Sequence, residues 1–300
     1  MPPDQLAFDI VDVFAESPYA GNQLAVVHGA DHLSDGQRQA VAREFGYSET
    51  TFPSPRGAAE YAVRILTPSL EIAFAGHPTL GTAWVLRERG DLDADVATQH
   101  CAVGPVALRL DGDRVELTAT PRDLAGPVPE RLVLEVLADH GLGPDDLAGP
   151  AWVAGAGLDF LHVPVTEEGL LRARIGIRGL DSYDGWPPLL DRLDAVNLVA
   201  LTSGAPGEPV AVHARVFVPG LIDGAEDAAT GSAAAGLGMM LAASGLLPDG
   251  GRYEIRQGSE MGRPSHLSCR VEAVGGVPSA CRVAGRVQPI ARGTIAVPPA

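Results

Sequence analysis

Charge vanishes from this chain in two places. No Asp, Glu, Lys or Arg occurs from Pro78 to Leu86, and none from Thr230 to Pro248. A helix that is apolar all round belongs inside a protein, so the pattern predicts two buried helices, 77–89 and 230–245. Pro78 suits a first helical turn, where its missing N–H would be unpaired anyway, and Gly90 and Gly245 suit the stops. Gly236, Gly238 and the Ala233–Ala235 run would let strands approach the second helix closely.

Around these helices the apolar positions run in short blocks that read as strands. Residues 5–14 and 22–28 are rich in Val, Ile, Leu and Phe and are joined by a turn over Ser17–Asn22. Ser34-Asp35-Gly36-Gln37 carries a capping-box pattern and starts a helix to about Phe45, with Gly46 as its stop. Strands are expected at 50–53, 60–66, 70–74, 96–101, 105–110 and 114–119, the last two joined by a tight turn at Asp111-Gly112-Asp113. The proline-studded segment Pro121–Pro129 is the best linker. Beyond it come a helix near 130–140, strands near 151–165, a helix near 188–200, a strand at 211–218, and strands near 252–257, 265–274, 280–288 and 293–297. The expected fold is α+β, with two similar halves, 1–120 and 125–288, each a curled, mostly antiparallel sheet around one central helix.

Composition narrows the function more than the fold. The chain has 300 residues and a net charge of −16, which argues against partners such as nucleic acid or an anionic membrane surface, since both need a basic footprint. The start, Met1-Pro2-Pro3-Asp4-Gln5, lacks the basic and apolar regions of a signal peptide, and no segment has the apolar length of a membrane span. A cytoplasmic protein is expected. Cys101, Cys269 and Cys281 are odd in number and lack CxxC spacing, so they are read as buried thiols.

The turns that open the two uncharged segments look alike. Phe74-Ala75-Gly76-His77-Pro78 and Glu226-Asp227-Ala228-Ala229-Thr230-Gly231-Ser232 each place an ionisable side chain in a glycine-containing turn before a helix. Helix N-termini bind anions through unpaired N–H groups and the helix dipole. Two of them facing one cleft would hold a small carboxylate between proton-carrying side chains, without any Lys or Arg. Taken alone, His77 and Asp227 are more simply caps; the pairing shifts the balance. Glu49, in Ser48-Glu49-Thr50-Thr51-Phe52, lies between a helix stop and an apolar strand. Enclosed against apolar walls, such a carboxyl both takes and returns a proton near neutrality; a solvated loop carboxylate is the plainer alternative. His28 and His32 lack helical metal-ligand spacing, and Gly155-Ala156-Gly157 lacks the third glycine of a dinucleotide fingerprint. Nothing in the sequence calls for a nucleotide, metal or redox cofactor.

The same residues resemble a known family, the PhzF-like phenazine-biosynthesis proteins, a branch of the diaminopimelate-epimerase-like fold. The matching segments are Asp12-Val13-Phe14 with Gly21–Val27, Ser48–Phe52, Phe74–Pro78, Glu226–Ala233, Gln257-Gly258-Ser259-Glu260-Met261-Gly262-Arg263-Pro264-Ser265, and Arg292-Gly293-Thr294-Ile295, in order along the chain. Gln23 departs from the usual pattern, in which Pro follows Gly-Asn. The resemblance implies a site between the two domains, a last strand (about 290–300) returning to the first domain, and a homodimer. It also implies isomerisation of a dihydro-hydroxyanthranilate by moving a proton between ring carbons, without a cofactor. By that resemblance Glu49 is the acid/base, His77 and Asp227 orient substrate and shuttle or balance charge, and Ser48, Gly76, Gly231 and Ser232 hold the substrate carboxylate and amine. Thiol-dependent epimerases of this fold carry cysteines where this chain has Ala75 and Ala229, which argues against a two-thiol racemase. An epimerase or tautomerase on another amino-acid-like substrate, and a non-catalytic small-molecule-binding protein, are the alternatives.

Overall fold

Both uncharged segments are buried helices, and the strands are arranged around them. The structure, a computed structural model, describes residues 5–122, 124–176, 193–202, 207–218 and 226–299. The chain divides into two compact units: Met1–Thr118 with Ala284–Ala300, and Ala119–Val283.

The first unit contains β1 (Gln5–Val13), β2 (Asn22–Val27), α1 (Asp35–Phe45), β3 (Glu49–Gly57), β4 (Glu60–Leu66), β5 (Glu71–Ile72), α2 (Gly76–Arg89), β6 (Val96–Cys101), β7 (Gly104–Asp111) and β8 (Arg114–Ala119). Strand pairing runs β1–β2–β3–β4–β6–β7–β8. The strand that ends the chain pairs with both β8 and β1 and closes the sheet on itself. Closure removes free edges and leaves an interior that α2 fills: every residue from Gly76 to Leu86 is buried. The helix can lie this close because Gly81 has no side chain. A Cβ there would stand 2.6 Å from Leu24 and 2.7 Å from Val13. The capping box at Ser34 and Gln37 forms as its sequence indicates, and Gly46 ends α1 in the left-handed region at φ 66°. Asp9, buried in β1, accepts from Arg292 at 2.6 Å and Arg89 at 3.1 Å and pairs with His28 at 2.9 Å, so His28 serves a charge cluster.

The second unit contains β9 (Leu124–Ala125), α3 (Glu130–Asp139), β10 (Trp152–Gly155), β11 (Asp159–Pro164), α4 (Glu167–Arg172), β12 (Ala195–Thr202), β13 (Val210–Phe217), β14 (Glu226–Asp227), α5 (Gly231–Ala243), β15 (Gly251–Gln257) and β16 (Ser265–Val274). The pairings run β9–β10–β11–β12–β13–β15–β16, with β11–β12 and β13–β15 parallel. Helix α5 packs on β10, β11 and β16 and is buried from Gly231 to Ala242. The last strand, β17 (Val277–Ala296), passes from this unit into the first.

Three expectations change. Of the helix expected at 188–200, residues 188–192 lie outside the described residues, and 195–200 belong to strand β12, buried on both faces. The strands expected at 280–288 and 293–297 are one strand; its pairing with β1 slips between Ile10 and Val11, which accommodates Pro289 at the irregularity. Cys101 is only half-buried, whereas Cys269 and Cys281 are buried, and all three are free thiols. No described helix is long and apolar enough to cross a membrane.

Candidate functional site

In the first unit, topology assembles the site residues. Strands β2 and β3 run parallel, joined through α1, with Leu24 opposite Glu49. A parallel pair starts at the same end, so Asn22 at the head of β2 and Ser48-Glu49 at the head of β3 are neighbours. The N-terminus of α2 meets them there. Its cap residue is Ala75 in extended conformation; Gly76 is the first helical residue and His77 the second.

His77 is buried, and its Nε2 lies 3.5 Å from Glu49 Oε2. The other ring nitrogen, Nδ1, is 3.2 Å from Asn22 Nδ2. Ser48 Oγ donates to Asn22 Oδ1 at 3.4 Å, which ties Asn22 to the head of β3. Burial pushes the His77 pKa down to about 3, opposed weakly by the Gln23 backbone. The ring is therefore neutral at neutral pH. The Glu49 side chain is 15% exposed, which sets aside the solvated-loop alternative. Its carboxyl group stands 3.5 Å from a neutral imidazole in a site mostly closed to water, an arrangement suited to taking and returning a proton.

In the second unit, Asp227 lies in β14, opposite Val216 of β13. Thr230 is the N-cap of α5, and its hydroxyl donates to Asp227 Oδ2 at 2.6 Å, making no cap bond to the helix itself. The capping alternative for Asp227 thus takes an unexpected form: the carboxylate accepts a hydrogen bond from the cap residue's hydroxyl. Gly231 and Ser232, both buried, form the first turn of α5. The neighbouring Glu226 is held by Arg215 through two 2.8 Å contacts, and Arg215 also donates to the Leu170 and Ala173 carbonyls. Sequence reasoning assigned no role to Asn22, Thr230 or Gln257. All three lie in segments that the resemblance marks, and that was the only signal for them.

Among the described residues no group of three or more His, Cys, Asp or Glu is placed to hold a metal ion. A surface groove of about 510 Å³ lined by Pro127, Val133 and Pro150 contains none of the candidate site residues.

Two of the buried imidazoles, His77 and His162, are shifted far enough to contribute a clear pH dependence. His162, beneath α5, is lowered to about 4 by burial, with a smaller opposing contribution from the Ala154 backbone. Both rings lie below their ordinary value of 6.5. The unfolded chain therefore binds more protons below that pH, so stability is full above it and is lost as pH falls toward 4 and 3. Between pH 7 and pH 5 each ring should remove about 2 kcal/mol. Urea unfolding at the two pH values should show this loss, and His77→Asn should shrink it; an unchanged pH dependence in the variant would contradict the assignment.

Comparison with known proteins identifies the family. Residues 11–293 match the family model for phenazine biosynthesis-like proteins, PhzC-PhzF. A trans-2,3-dihydro-3-hydroxyanthranilate isomerase from Pseudomonas chlororaphis is 33% identical over 290 residues, covering 95% of this chain and 98% of the relative. A solved structure of a predicted epimerase from Pseudomonas aeruginosa is 31% identical with a TM-score of 0.79, covering 97% of this chain and 99% of the other. The Bacillus anthracis protein of the PhzF family, 21% identical, superposes with a TM-score of 0.82 over 97% of this chain and 99% of its own, which bears on the fold alone. The diaminopimelate-epimerase-like α+β fold and these relatives converge: the chain belongs to the phenazine biosynthesis-like PhzC-PhzF family and is an isomerase of that family.

Proposed function

We propose that this isomerase shifts a proton between carbons of a small cyclic or unsaturated amino-acid-like carboxylate, with trans-2,3-dihydro-3-hydroxyanthranilate as the model substrate, and needs no cofactor. The observation that carries the reading is the Glu49–His77 pair, 3.5 Å apart and largely buried. Glu49 acts as general acid/base: it takes a proton from one carbon and returns it to another, so the product has the mass of the substrate. Neutral His77 can donate a hydrogen bond beside it without fixing the carboxylate in an ion pair. Asp227 orients the substrate and balances charge on its amine.

Ser48 and the first-turn groups of α2 and α5, at Gly76, Gly231 and Ser232, hold the substrate carboxylate and amine. Each helix start supplies unpaired N–H groups, which provide local positive potential on a protein whose net charge of −16 repels anions at long range.

An epimerase using the same groups is distinguished by spectroscopy. Moving a ring proton relocates the double bonds and changes the ultraviolet spectrum, whereas epimerisation changes optical rotation and leaves the chromophore intact. Incubation of the protein with the model substrate should change the spectrum. A changed optical rotation with an unchanged spectrum would overturn the carbon-to-carbon proton shift in favour of epimerisation.

A further inference from the structure

The segment Gln257–Pro264 carries a strong sequence pattern but has no part in the chemistry so far described. Its geometry points at Asp227. Gln257 is 2% exposed and ends β15, which is held between β13 and β16. Its side-chain amide is spent on a single turn: Nε2 donates to the Asp227 carbonyl at 2.8 Å and to Thr230 Oγ1 at 3.0 Å, and Oε1 accepts the Thr230 N–H at 3.2 Å. The chain then folds back over the same turn. Gly258 has φ 73°, and a Cβ there would stand 2.5 Å from both the Ala228 and the Arg263 carbonyl oxygens.

These contacts have a direction. Because Thr230 Oγ1 accepts from Gln257, its own hydrogen goes to Asp227 Oδ2, at the 2.6 Å of a hydroxyl–carboxylate bond. A threonine at a helix N-cap ordinarily turns its oxygen to the helix N–H groups; this one gives its hydrogen to a carboxylate instead. We propose that Gln257 and Thr230 are positioning residues, a relay that fixes the orientation of the Asp227 carboxylate for the reaction. The inference rests on the part assigned to Asp227 above. It gives the Gln257 motif a function at the site without contact with substrate.

Two variants at Thr230 separate positioning from packing. Thr230→Val keeps the shape and removes the hydroxyl; Thr230→Ser keeps the hydroxyl. Gln257→Glu, nearly isosteric, removes both amide donors and serves if the valine variant does not fold. Thr230→Val and Gln257→Glu should lower kcat about tenfold to a hundredfold, the worth of one hydrogen bond to a charged group. KM should change little, and Thr230→Ser should recover most of the rate. Crystal structures should show the Asp227 carboxylate displaced in Thr230→Val and in place in Thr230→Ser. A carboxylate unmoved by Thr230→Val, a rate unaffected by it, or a serine variant as impaired as the valine would overturn the relay. If the wild-type protein does not convert the model substrate, the reaction assignment fails, and the carboxylate positions in the two crystal structures still decide the relay.

Discussion

Glu49→Gln should abolish turnover, lowering kcat by about a thousandfold or more while the protein still folds and binds ligand. A positioned general acid/base contributes roughly a hundredfold to ten-thousandfold, and this carboxyl is asked to act in both directions. The amide keeps the size and the hydrogen-bonding reach of the carboxylate, but it can neither accept nor return a proton. The surroundings should tolerate the change. Glu49 begins β3 by backbone pairing with Leu24 of β2, which the substitution leaves alone, and the neighbouring His77 is neutral, so no ion pair is broken. Steady-state rates, with ligand affinity measured by calorimetry, check both halves. A variant that keeps more than about a tenth of the wild-type rate would remove Glu49 from the chemistry.

Gly236→Val should destabilise the second unit strongly, costing about 3 kcal/mol. Helix propensity alone argues the other way in kind, since replacing a mid-helix glycine commonly helps by up to about 1 kcal/mol. Packing decides the sign. A Cβ at Gly236 would stand 2.7 Å from the Ala154 carbonyl oxygen and 2.7 Å from His162 Nε2. The first is backbone of β10. The second belongs to a ring pinned by Asn197 at 3.0 Å and the Ala154 carbonyl at 3.3 Å. Neither neighbour can give way cheaply, so α5 must move off the sheet. Thermal and urea unfolding would measure the loss, and a variant as stable as the wild type would show that the helix–sheet contact is looser than described.

The two central helices were legible because their signal needs no tertiary knowledge. A helix without a charged residue from Gly231 to Ala243 belongs inside, and Gly236 and Gly238 mark the faces on which strands close in. The capping box at Ser34 is equally local. Where context decided, the sequence was silent. Ala195–Thr202 is a short run, apolar but for Asn197 and Thr202, which periodicity cannot assign to helix or strand; burial between β11 and β13 makes it a strand. Residues 289–292, led by Pro289, separate two expected strands, yet β17 runs through them because its pairing with β1 slips beside the proline.

The site divides in the same way. His77, Asp227 and Glu49 stand out by residue type at a turn or strand head. The groups that orient them, Asn22, Thr230 and Gln257, are polar residues of common kind. Their roles come only from the folding of β2 beside β3 and of β15 beside β13.

The central claim is that the reaction is a proton shift and nothing more. It is tested most directly by incubating the wild-type protein with trans-2,3-dihydro-3-hydroxyanthranilate, once in water and once in deuterated water, and identifying the product by mass spectrometry and NMR. The account predicts a product of unchanged mass in water, with a relocated ring hydrogen. In deuterated water it should carry at most one deuterium on carbon, at the position that receives the proton from Glu49. Recovery of unaltered substrate, or a product whose mass in water differs from that of the substrate, would contradict it.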